Sequence, residues 1–85
     1  MSAVPSDRAL AILRAVAHGR AEMTCSCEPD LFIDGLACCD QATARFLAHS
    51  NLIRPARPGE VGQRVPVRLT SAGRDALATE PLEAA

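Results

Sequence analysis

Apolar residues recur along the chain with two different periods, and the change from one to the other organises the reading. In DRALAILRAVAH, residues 7–18, Leu10, Leu13 and Val16/Ala17 fall three and four apart with Ile12 beside them, while Arg8 and Arg14 lie off the stripe. Ser6-Asp7 is an N-cap signal and Gly19 a stop, so a helix is predicted over 7–18. The same period returns over 38–50. There the stripe is Ala42/Thr43, Phe46/Leu47 and Ser50, which predicts those positions buried and Gln41, Ala44, Arg45 and Ala48 on the other side. Asn51 follows, the non-glycine residue best suited to the left-handed turn that closes a helix. Beyond a loop rich in Pro and Gly the period drops to two. Val65, Val67 and Leu69 alternate with Arg64, Pro66 and Arg68, as a half-buried strand requires. Residues 53–69 therefore read as a two-stranded ribbon with a mobile tip. Thr70 or Ser71 caps a last helix ending near Thr79, with Gly73 placed for close packing of its start against the sheet.

The stretch between the first two long helices is the least regular. Glu22 to Cys25 is compatible with a short strand. Glu28-Pro29-Asp30 carries a helix-start signature, so residues 29–34 are expected as a short helix burying Leu31 and Phe32, with a loop or strand reading of DLFIDG left open. The order helix, αL stop, strand, basic loop, strand is that of a winged helix. The expected fold is α+β: a winged helix-turn-helix of three to four helices with a small antiparallel sheet whose β-hairpin is the wing. It would occupy 7–79, between disordered ends at 1–6 and 80–85.

At 85 residues there is room for one domain and a small core, anchored on this reading by Phe32 and Phe46. Dimerisation or a metal would supplement such a core. No apolar run reaches a membrane span, and no basic segment followed by an apolar block opens the chain, so a cytoplasmic protein without a membrane partner is expected. The net charge of −1 conceals a polarity. Residues 40–74 hold six Arg against two acids, giving +4, whereas both flanks are acidic. That localised basic third is the footprint of a phosphate-facing surface; the alternative is a ribbon merely solvated by arginine. No Ser-His-Asp set, carboxylate pair or phosphate-cradling glycine loop is visible, so an enzyme is not expected.

Two segments resemble bacterial winged-helix transcription regulators of the broad MarR-like and ArsR-like group. LAHSNLI followed by VPVRLTSAGRDAL is similar to that group's L-x-x-x-G-L-[IV] and closing L-T-x-x-G-R-x-x-L, with Asn51 in place of Gly. Cys25-Ser26-Cys27-Glu28 resembles the C-x-C-acid element of the ArsR-like metal sensors, at a family-like distance before Asn51-Leu52. Pro29 interrupts the sensor motif, and Gln41, Ala42 and Thr43 do not match the Ser and His of that family's recognition helix. The resemblance implies a small DNA-binding regulator, with a response to metal.

The candidate residues follow. With helix 38–50 in a major groove, Gln41 and Arg45 would read adenine and guanine, with Thr43 available on rotation. Arg54, Arg57, Arg64 and Arg68, on the wing 54–68, would contact phosphates. Cys25, Cys27, Cys38 and Cys39 admit three readings: small buried packing residues, a zinc or sensory metal site, or a thiol switch acting on the front of helix 38–50. His18 and His49 read as helix-end residues, favoured there by the helix dipole. Two other functions fit the same chain: a winged-helix module that binds protein, and a zinc-stabilised structural domain. A homodimer is compatible with each.

Overall fold

The structure, a computed structural model, describes residues 6–78. Of the disordered ends expected at 1–6 and 80–85, residues 1–5 and 80–85 lie outside the described residues, as does Thr79, and Ser6 is the N-cap of α1. The described residues are α+β, with three helices and five antiparallel strands. In order these are α1 (Asp7–Ala17), β1 (Ala21–Thr24), β2 (Leu31–Ile33), β3 (Leu36–Ala37), α2 (Gln41–His49), β4 (Ile53–Pro55), β5 (Arg64–Leu69) and α3 (Ser71–Ala78). The strands form one sheet in the order β3-β2-β1-β5-β4. No helix among the described residues is long and apolar enough to cross a membrane.

Local signals account for most boundaries. The Ser6 hydroxyl accepts the Ala9 N–H at 3.1 Å and starts α1; Gly19, at φ 75°, takes the left-handed position after it. Asp40 caps α2 by accepting the Thr43 N–H, and Asn51 leaves α2 at φ 63°. Thr70 caps α3 by accepting the Gly73 N–H at 3.0 Å. The alternation of β5 is realised in full, with Val65, Val67 and Leu69 buried and Arg64, Pro66 and Arg68 exposed.

The core lies between one face of the sheet and the three helices. Leu13, Leu31, Leu47, Ile53 and Val65 are its most enclosed members. The apolar face of α1 is wide because β5, α2 and α3 all pack on it. Among the described side chains no buried polar atom lacks a hydrogen-bond partner.

Three expectations are corrected. Residues 29–34 are not a helix: Leu31–Ile33 and Leu36–Ala37 pair as a hairpin in which Ile33 faces Leu36 across Asp34-Gly35. Both turn residues have positive φ, 54° and 84°, which is the two-residue turn that Asp-Gly favours and that matches strand twist. Helix α2 begins at Gln41 rather than 38, because Cys38 still donates its N–H to the Leu31 carbonyl as an extension of the β2–β3 ladder. The aromatics do not anchor the core. Phe46 is 63% exposed, and Phe32 lies half-buried on the far side of the sheet, with the Arg64 guanidinium 3.9 Å above its ring. Aliphatic side chains fill the interior instead.

The loop between β4 and β5, expected as a mobile tip, is tied to the end of β1 by hydrogen bonds. Cys25, just past β1, donates its N–H to the Gln63 carbonyl and accepts the Gly62 N–H, each at 3.0 Å. Gln63 in turn accepts the Glu60 N–H at 2.9 Å through its side chain. Gly73 is buried against the Leu52 carbonyl, where a Cβ would collide, so the start of α3 packs on the chain entering β4.

Candidate functional site

Helix α2 is turned about its axis relative to the stripe expected from the sequence. Ala44 and Leu47 are buried, whereas Ala42, Phe46 and Ser50 face out. Three residues at four-residue spacing explain the choice. The Gln41 side-chain amide accepts the Leu31 N–H at 2.8 Å and donates to the carbonyls of Leu31 and Cys38 at 2.9 and 2.7 Å. One turn on, Arg45 reaches the Asp30 carboxylate at 2.6 Å, the Pro29 carbonyl at 3.3 Å and Glu28 at 3.7 Å. A further turn on, the His49 ring nitrogen lies 3.0 Å from the Cys27 carbonyl and 3.7 Å from Glu28. Gln41, Arg45 and His49 thus clasp the segment 27–31 through its backbone groups and its two acids, Glu28 and Asp30.

This changes the placement of the proposed base readers. Gln41 and Arg45 point toward the segment 27–31 and away from the outer face of α2. Thr43 is occupied at the cap, where its hydroxyl bonds Asp40 at 2.6 Å. That bond, the Thr43 N–H and then Arg8 hold the Asp40 carboxyl below its ordinary pKa. At the β2–β3 turn, the Arg20 guanidinium grips Asp34 at 2.7 Å and lowers its pKa for the same kind of reason, chiefly through the hydrogen bond.

Eight of the nine arginines divide into two groups by their partners. Arg8, Arg20, Arg45 and Arg64 are ion-paired, to Asp40, Asp34, Asp30 and Glu22 respectively. Arg54, Arg57 and Arg68 are exposed and have no acidic partner among the described residues. Arg74 makes a contact with a neutral group, the Leu69 carbonyl at 3.3 Å. All four lie on β4, its following loop, β5 and α3. Arg64, expected on phosphate, is instead held by Glu22 at 3.0 Å and by Phe32. Arg74 was not among the candidates read from the sequence; its place beside Arg68 depends on how α3 docks, which no local pattern reveals.

The four cysteines are thiols, with Cys27 and Cys39 exposed and Cys25 and Cys38 half-buried. Cys25 sits against the wing near Gly59 and Val65. Cys38 and Cys39 line a different region, a cavity of about 600 Å³ bordered by α1 residues Ile12 and Ala15. Among the described residues, no group of three or more His, Cys, Asp or Glu side chains is placed to hold a metal ion. His18 is the C-cap residue of α1, the helix-end place expected for it.

Comparison with known proteins finds no matching family model, no matching curated protein and no matching solved structure.

Proposed function

We propose that this chain is a winged-helix module that binds nucleic acid, most simply a small DNA-binding regulator, and that it does so mainly through phosphates. The observation that carries this reading is the arginine partition. Arg8, Arg20, Arg45 and Arg64 are each paired with an acid within the chain, while Arg54, Arg57, Arg68 and Arg74, on the hairpin and α3, have no acidic partner among the described residues. The part of the element order that supports it is α2 followed by a β-hairpin and α3; a strand hairpin stands where a helix-turn-helix has its second helix. The outer face of α2 offers Ala42, Phe46 and Ser50, which suit contact with a thymine methyl or a sugar better than bidentate base reading. Sequence discrimination by α2 is accordingly weak on this reading, and affinity is strongly dependent on salt.

Titration of a fluorescent duplex at increasing salt tests it. Four phosphate contacts give a slope of log K against log salt of about −3.6, and Arg54→Gln with Arg68→Gln together reduce it by about 1.8. Absence of any duplex binding at low salt overturns the reading.

A second reading, a module that binds protein, is favoured by Leu36, Phe46 and Val61, which are 74, 63 and 91% exposed. A partner held by these side chains would stay bound at high salt and be released by Phe46→Ser, the opposite response to that of a phosphate-bound duplex.

A further inference from the structure

Arg54 and Arg68 stand directly opposite each other on β4 and β5, on the sheet face turned away from the helices. Like charges in facing positions of an antiparallel pair oppose strand pairing, and no acid among the described residues offsets them. Arg74 joins them around a cavity of about 420 Å³ whose remaining wall includes Asn51, Thr70 and Ser71. Among the described residues, no acidic side chain lines this space. The Thr70 hydroxyl is committed to the Asn51 carbonyl at 2.7 Å and to the Gly73 N–H, which fixes the wall on which Arg74 stands. Three arginines therefore line the cavity, two of them from facing strand positions, and Arg74 gives one guanidinium N–H to the Leu69 carbonyl at 3.3 Å.

We infer that this cavity is a binding site for a phosphoryl group. Three guanidinium forks supply more donors than one carboxylate can accept, whereas a phosphoryl group offers several strong acceptor oxygens and up to two negative charges. The source of the group is either a nucleic-acid backbone or a free phosphorylated molecule, and only the first choice rests on the nucleic-acid reading above. The site lies at the base of the hairpin, beside the residues that follow α2, and not in the loop that carries Arg57.

Thermal unfolding of the whole chain in sodium phosphate, against sodium chloride at matched ionic strength, tests the site. Phosphate at about ten times its Kd raises Tm by roughly 8 °C beyond the chloride control. Arg68→Gln removes one of the opposed charges, so its Tm without phosphate equals or exceeds that of the wild type, and its phosphate-specific rise is lost. Arg57→Gln, outside the cavity, keeps the rise. A labelled duplex displaced by phosphate beyond the chloride control places the site on the nucleic-acid path. Duplex binding that is absent or unaffected, with the phosphate rise intact, assigns the site to a free phosphorylated molecule. No rise beyond chloride, or a rise that survives Arg68→Gln, overturns the inference.

Discussion

Replacing Gln41 with Ala tests the orientation of α2 most directly. The side-chain amide bridges the Leu31 N–H to the Cys38 carbonyl at the point where the chain leaves the β2–β3 ladder. Leu31 is 1% exposed, so its N–H has little access to water once the amide is gone. The Leu31 carbonyl keeps a second donor, the Cys38 N–H at 2.9 Å. Two backbone groups therefore lose a partner, at about 1–3 kcal/mol each when water cannot replace it. Gln41 itself is only half-buried, which admits some water and puts the expected loss at about 2–3 kcal/mol. A domain of this size holds about 4–13 kcal/mol in total, so the variant stays folded but its Tm falls by roughly 10–20 °C. Urea unfolding of the wild type, Gln41→Ala and Ala42→Ser measures it, the last being a solvent-facing control expected within about 0.5 kcal/mol of wild type. Gln41→Glu should be less stable than Gln41→Ala, because a carboxylate would face two carbonyl oxygens. If Gln41→Ala loses no more than the control, the amide is solvated, the clasp on 27–31 does not exist, and Gln41 is again available to a base edge.

Three further outcomes are expected. Gly73→Ala gains about 1 kcal/mol of helix propensity, yet the added Cβ meets the Leu52 carbonyl, so urea unfolding should show a net loss; a stabilised variant would mean that α3 does not pack there. Asn51→Gly should be near neutral and Asn51→Ala should cost about 1 kcal/mol, because φ is 63°; equal stabilities would place Asn51 outside the left-handed region. Asp40 has a folded pKa below its ordinary value of 3.8, so at acid pH the unfolded chain binds more protons, and stability is full above that value and lost as pH falls through the folded pKa. Asp40→Asn keeps a good N-cap but cannot ionise, and so should flatten the acid limb of a Tm-against-pH curve; an unchanged limb would exclude Asp40 from it.

The elements with strong local punctuation were legible in the sequence. Ser6 and Gly19 bracket α1, Asn51 ends α2, and the alternation of residues 64–69 marks both β5 and its inward face. The hairpin at 31–37 was legible too, since Asp34-Gly35 between apolar residues is a strong two-residue turn signal, but the acids and Pro29 just before it also resemble a helix start. The face of α2 was not legible by hydrophobicity. Phe46 outweighs Ala44 on any apolar scale, yet Ala44 is buried and Phe46 exposed. What decides the rotation is a polar partner, the segment 27–31, whose position depends on strand pairing far along the chain. The same limit applies to the candidate site: the basic third of the chain could be read from charge, but which arginines are neutralised depends on contacts up to 42 residues apart.

The clasp also constrains how any thiol chemistry could reach the proposed interface. Cys27 is exposed and lies in the segment held by Arg45 and His49, while Cys25 is bonded through its backbone to the wing at Gly62 and Gln63. One short loop thus touches both parts of the proposed nucleic-acid surface, α2 through its polar stripe and the hairpin through its loop. A bulky charged group on Cys27 would act beside Glu28 and Asp30, the two acids that hold Arg45. An added negative charge there is attracted to Arg45 but repelled by both acids, and an added positive charge is attracted to the acids and competes with Arg45 for them. Alkylating Cys27 with reagents of opposite charge should therefore move Tm in opposite directions, while a neutral reagent of the same size gives the steric part alone. Equal shifts from all three would show that the loop responds to bulk, and that Arg45 does not transmit charge from this loop to α2.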